Sequence, residues 1–219
     1  MKTMVTCKSA EDRALTYRVT LLSIFALIIS ACASTGGSSK PARIEIQEEV
    51  GFTITEAVRI SGDVRTDYTK ALGLLEQGRR DQGIEMLEAV IAAAPQLSAP
   101  RIDLGIAYHQ AGNLEAAESN LLLALEANPN HPIAQNELGI VYRKTGRFKE
   151  ARKSYEAALA VYPGYHYARR NLAVLCDLYL SDLDCALHNY EAYMTTVTSD
   201  EETSMWIADI RLRMGQAKE

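Results

Sequence analysis

A 34-residue period runs through the middle of this chain and constrains its fold more than any other feature. Leu104, Gly105, Tyr108, Gly112, Ala117, Leu121, Ala124 and Pro129 recur 34 positions later as Leu138, Gly139, Tyr142, Gly146, Ala151, Tyr155, Ala158 and Pro163. A fixed period of this length describes a unit that cannot bury its apolar face alone and does so by stacking on copies of itself. The residue types fit paired helices. Gly105 and Gly139 admit a neighbouring helix at close range, and Gly112 and Gly146 turn the chain between the helices of a pair. Ala117, Ala124, Ala151 and Ala158 keep the second helix tight against the first, and Pro129 and Pro163 end it, because proline cannot continue the hydrogen-bond ladder.

A weaker copy lies one period earlier, with Ala71, Gly78, Gly83, Leu87, Val90 and Pro95 in the same slots. One period later come Leu172 and Ala173, then Ala186 and Tyr190 one residue late, so the turn around Leu180, Ser181 and Asp182 carries an extra residue. The stretch from Glu201 to Met214 places Trp206, Ile207, Ile210 and Met214 at helical spacing, as expected of a cap over the last apolar face. The spacing and residue types resemble the tetratricopeptide repeat. The resemblance implies an all-α helical-hairpin solenoid of about four repeats (64–97, 98–131, 132–165 and 166–200), a capping helix over 201–214 and a short tail over 215–219.

The same resemblance implies a concave groove lined by the first helix of each repeat. Mapped onto this chain, the groove carries an apolar row of Leu72, Ile106, Ile140 and Val174 beside a polar row of Thr69, Asp103, Glu137 and Asn171. Around these rows lie Ile102, His109, Asn136, Arg143, Lys144, Tyr167 and Arg170. An apolar floor with mixed hydrogen-bonding groups suits an extended or helical segment of a protein partner and suits a small-molecule substrate poorly. By residue type, Tyr167 and Arg170 are the strongest anchor candidates. The full lysine, asparagine and arginine clamp with which some relatives grip a C-terminal carboxylate is not present, and Asp103 and Glu137 would repel a carboxylate at the same rim.

The beginning of the chain reads as an address. Lys2, Lys8, Arg13 and Arg18 precede the uncharged apolar run Val19 to Ser30, which is short for a membrane span and fits a secretory signal. The run ends in Ile29, Ser30, Ala31 and Cys32, which resembles a bacterial lipobox, with Cys32 receiving lipid after removal of residues 1–31. Ala33 in place of Asp resembles the sorting signal for the outer membrane, facing the periplasm. Residues 32–41 are rich in Gly and Ser and read as a flexible tether. In the arm over 42–63, Ile44, Ile46, Phe52 and Ile54 alternate with polar residues as a half-buried strand does. Such an arm either packs back on the solenoid or becomes ordered when a partner adds strands to it.

Chemistry is expected to be absent. A formal charge of -5 and pI near 5.5, without a basic cluster, exclude a duplex nucleic-acid binder. No nucleophile elbow, phosphate loop, dinucleotide fingerprint or zinc motif occurs, and His131, His166 and His188 fall at scattered repeat positions. No catalytic residue, metal or cofactor is therefore expected. Cys176 and Cys185 fall on the two helices of one hairpin. In an oxidising envelope they either pair, stabilising by about 2–3 kcal/mol in the loop-entropy picture, or remain small buried thiols.

Together these features describe a non-catalytic protein scaffold anchored by lipid. Its shape is similar to tetratricopeptide lipoproteins of the pilotin type, which serve pilus secretins. The run from Asn171 to Leu180, followed by Cys185, Ala186 and Leu187, resembles accessory proteins of TonB/ExbB/ExbD energised transport systems. A regulatory docking subunit of a cell-wall enzyme is the third expectation.

Overall fold

The computed structural model describes residues 43–47, 51–56, 58 and 60–216. The expected signal peptide, the lipidation site Cys32 and the tether lie outside the described residues. Among the described residues the chain forms two short strands, β1 (Arg43–Gln47) and β2 (Gly51–Thr55), and then helices. The helices are α1 (Gly62–Glu76), α2 (Arg80–Ala93), α3 (Ala99–Gln110), α4 (Leu114–Ala127), α5 (Pro132–Lys144), α6 (Phe148–Val161), α7 (His166–Leu178), α8 (Leu183–Met194) and α9 (Glu201–Gln216).

Each pair from α1/α2 to α7/α8 is an antiparallel hairpin, and the fold is the helical solenoid the period implied. The odd-numbered helices touch along an inner layer, α1 with α3, α3 with α5 and α5 with α7, whereas each even-numbered helix touches only its neighbours in sequence. Closer inner than outer spacing bends the stack, and the inner layer becomes the concave side.

The small residues sit where close approach demands them. A Cβ on Gly105 would come within 2.8 Å of Leu121, and one on Gly139 within 2.5 Å of the Tyr155 ring. Ala117, Ala124, Ala151 and Ala158 are fully buried. Gly78, Gly112 and Gly146 close the first three hairpins at φ of 75°, 84° and 76°, the left-handed region that glycine enters without a Cβ penalty. The α7–α8 connection holds the extra residue: it spans 179–182, and Ser181 takes the left-handed position at φ 53°. Side chains cap several helices. Asn113 accepts from Ala116 N–H at 3.1 Å, and Asp182 from Cys185 N–H at 3.1 Å.

The arm pairs with itself. Alternation in the sequence marks the strands without naming a partner, and β1 and β2 prove to be antiparallel to one another, with Ile44 opposite Ile54. Ile54 is buried in the same core as Ile102, and the Glu56 carboxylate accepts from the Ser98 N–H at 3.1 Å and from its hydroxyl. The hairpin is thus seated at the start of the second repeat. At the other end, α9 buries Ile207 and Ile210 in the core and sets Trp206 5.5 Å from the Tyr190 ring. It continues two residues past the expected end of the cap, to Gln216.

Candidate partner-binding groove

Helical periodicity delivers part of each inner helix to the core and part to the groove. Leu72, Ile106, Ile140 and Val174 are half-buried, as the exposed edge of an apolar floor must be. Two expected groove residues are not on that surface. Ile102 is 3% exposed and Asn136 2% exposed, because the inner helices approach each other closely enough to bury this slot.

What fills that slot is a set of hydrogen bonds between successive repeats. The Tyr68 hydroxyl donates to Asp103, and Asn171 donates from Nδ2 to Asn136 Oδ1 at 2.9 Å, two bonds that each span 35 residues. Between them Ile102 occupies the position from which a donor would reach Glu137. Glu137 instead accepts from the Asn136 amide at 3.1 Å. Burial raises the Asp103 carboxyl to about 6 against the pull of Tyr68, and raises Glu137 to about 7 against the pull of Asn136. At neutral pH both acids carry less negative charge than the sequence implied.

The basic residues gather at the C-terminal ends of the inner helices. His109 on α3 lies near Arg143 and Lys144 on α5. Burial, and then those two cations, hold its imidazole below its ordinary range. Burial works against the Arg143 charge, and the nearby hydroxyls of Tyr155 and Tyr179 more than restore it. The Arg143 guanidinium also lies 5.8 Å from the Tyr179 ring centroid. His109 Nε2 is buried and completes no hydrogen bond among the described residues, while the fully buried Tyr155 and the Arg143 guanidinium interact with each other. Sequence reasoning passed over Tyr155 because it read the position as the copy of Leu121, a packing slot. The signal available was the added hydroxyl on a ring lying against a glycine.

The two anchor candidates part company. Tyr167 is 47% exposed, its ring tilted against that of His166 with centroids 4.1 Å apart, and it stands open to a partner. Arg170 is drawn to the cap. It meets Glu202 at 3.2 Å and Asp200 at 3.8 Å and lies 5.0 Å from the Trp206 ring centroid, so its expected role in the groove gives way to holding α9.

Cys176 and Cys185 are joined as a disulfide across α7 and α8, with Cα atoms 5.9 Å apart. Asp182 comes near both sulfurs, but its carboxylate is engaged by the Cys185 N–H and by Arg152, and the sulfurs by each other, so this group is a poor cation site. Of the histidines, His131 is buried and caps α5, accepting from the Ala134 N–H at 3.4 Å. Its imidazole is pushed down to about 3 by burial, which keeps it neutral and structural. Among the described residues, no helix is long and apolar enough to cross a membrane.

An inner layer of helices with a half-buried apolar row and polar edges defines a class: helical-hairpin repeat proteins that present a groove. Within it, residues 74–139 and again 132–165 match models of the tetratricopeptide repeat. No curated protein matches the chain. Among solved structures, MamA (residues 41 to the end) from Desulfovibrio magneticus RS-1 is 18% identical with a TM-score of 0.64, over 73% of this chain and 90% of that one. Pseudomonas aeruginosa PilF is 17% identical with a TM-score of 0.63, over 70% and 69%. A thermophilic TPR protein of Thermus thermophilus is 26% identical with a TM-score of 0.58, over 69% and 82%. The first two likenesses establish the fold alone.

Proposed function

We propose that this chain is a non-catalytic scaffold of the bacterial envelope, tethered by lipid on Cys32 at the outer membrane and facing the periplasm, whose inner groove holds a segment of a protein partner. The observation that carries the binding part is the continuous inner layer of α1, α3, α5 and α7, with Ile106, Ile140 and Val174 left half-buried along it. The address rests on the sequence: a basic stretch, an apolar run and Cys32 after Ser30 and Ala31. The bond between Cys176 and Cys185 agrees with an oxidising compartment.

The system served is read as assembly of an outer-membrane complex of the secretin or pilus kind. An accessory role in TonB/ExbB/ExbD energised transport and regulatory docking to a cell-wall enzyme are the alternatives. Metabolic palmitate labelling of the wild type against Cys32→Ser tests the anchor: label retained by the variant ends that part of the reading. A photo-crosslinking residue at Ile140, activated in intact cells, tests the groove. A discrete protein adduct is expected, and its identity separates the three systems. No adduct from Ile140, with a control position on α9 equally silent, would sink the groove reading.

A further inference from the structure

The helix that caps a stack of repeats is expected to turn one face to the core and a polar face to water. The helix α9 does the first and not the second. Thr203, Ile207 and Ile210 are buried, and Met214 packs against the core beside them, so this face follows the alternating spacing of four and three residues. Positions two residues from these lie about 200° around an α-helix, on its far side. There stand Met205, Ala208 and Leu212, with Met205 65% exposed, Leu212 61% exposed and Ala208 exposed between them. Glu201 and Gly215 continue the same spacing at either end. Apolar residues at alternating three and four form a seam into which a second helix packs its own side chains.

The order of charge along α9 selects the helix that fits. Glu201 and Glu202 stand in its first turn and Arg213 in its last. A parallel copy would set like charges together, whereas an antiparallel copy sets the acidic turn of one helix against the basic turn of the other, and the helix dipoles agree. We propose that a second copy of this chain docks here, the two α9 helices packing antiparallel about a two-fold axis beside Ala208. About that axis Met205 of each chain meets Leu212 of the other, and the small Ala208 lets the helices close. The opposite end of the stack offers no match for a head-to-tail contact. Among the described residues, no large apolar side chain of α1 or α2 is exposed to this degree, and the cleft between them sets Asp67, Lys70, Arg79 and Glu85 around a buried Leu74. A bilayer fits less well: Glu201, Glu202 and Asp209 outnumber Arg211 and Arg213, and helices that lie on lipid are flanked by cations. A seam one helix long falls below the standard interface of about 1,600 Å², so the dimer is expected to be weak.

The seam lies outside the inner layer and does not depend on the groove; with the α9 cross-linking control placed off this stripe, the two fail separately. Sedimentation velocity of the full chain in density-matched detergent, over about 1–100 μM, is expected to pass from one chain to two and no further. Met205→Glu and Leu212→Lys, each on an exposed side chain, are expected to weaken pairing at least about tenfold while melting followed by circular dichroism stays unchanged. Mixed in equal amounts, the two variants are expected to pair again. The two-fold axis sets the new carboxylate of one chain against the new ammonium of the other and leaves the second Met205–Leu212 contact whole. Monomers at every concentration, growth past two chains, single variants that pair as the wild type does, or a mixture that stays apart each overturn the seam. Trp206, the single tryptophan of the chain, separates the other occupants. Quenching by brominated phospholipid that Leu212→Lys abolishes assigns the stripe to a bilayer, and monomers without quenching assign it to a different protein; both results overturn the second copy.

Discussion

The third and fourth repeats are copies of one hairpin, yet they treat their polar groups in opposite ways. In the fourth, Arg170 faces Glu202 and Asp200, Asp177 receives Arg213 at 2.6 Å, and Asn189 accepts from Arg169 at 3.0 Å. In the third, Arg143 meets the hydroxyls of Tyr155 and Tyr179 in place of a carboxylate, and Glu137 is a carboxyl raised by burial where the fourth repeat has the neutral Asn171. The turns differ too: Gly146 enters the left-handed region freely, while Ser181 does so with a side chain, next to a disulfide. The fourth repeat is cross-linked and sets Arg170 against acids; the third sets Arg143 against phenols. A shared backbone plan thus accommodates different polar chemistry through a few substitutions.

The largest expected effect falls on the fourth repeat. Reducing Cys176–Cys185, or replacing both with serine, should cost about 2–3 kcal/mol and lower Tm by roughly 5–10 °C in a calorimetric scan. An unchanged Tm would show that the helices alone hold the longer turn. Next is Glu137→Gln, measured at two pH values. The folded carboxyl holds its proton to about 7, and the unfolded one only to its ordinary 4.5. This group therefore favours folding below about pH 4.5, and the advantage is lost as pH rises through 7. The variant should be stabilised by on the order of 2 kcal/mol at pH 8 and little changed at pH 4. A pH-independent difference would assign the effect to packing.

Smaller changes sharpen the contrast between turns. Gly146→Ala forces a side chain into φ 76° and should cost roughly 1 kcal/mol in a urea titration. Ser181→Gly relieves the same conformation and should gain less than about 1 kcal/mol, because the added freedom of the unfolded chain takes part of it back. If Ser181→Gly destabilised instead, the hydroxyl would have a role that geometry does not reveal.

The repeats were legible because backbone contacts demand specific small residues: Gly105, Gly139 and the four alanines mark where helices approach, and a delayed Ala186 and Tyr190 betray the added turn residue. The groove was legible only in part. Helical spacing cannot say how closely inner helices approach, so it places Ile102 and Asn136 on a surface they do not reach. Nor does it say which of several acids an arginine will meet, so the capture of Arg170 by α9 was invisible. The hairpin of β1 and β2 escaped for a related reason, since alternation specifies a strand and leaves its partner open.

Contact limited to adjacent hairpins has an evolutionary corollary. Because no outer helix depends on one two repeats away, duplicating or deleting a hairpin alters reach while leaving each junction chemically as it was. Length can therefore drift independently of the chemistry at each junction, and a lineage could lengthen or shorten the inner layer by counting modules instead of redesigning them.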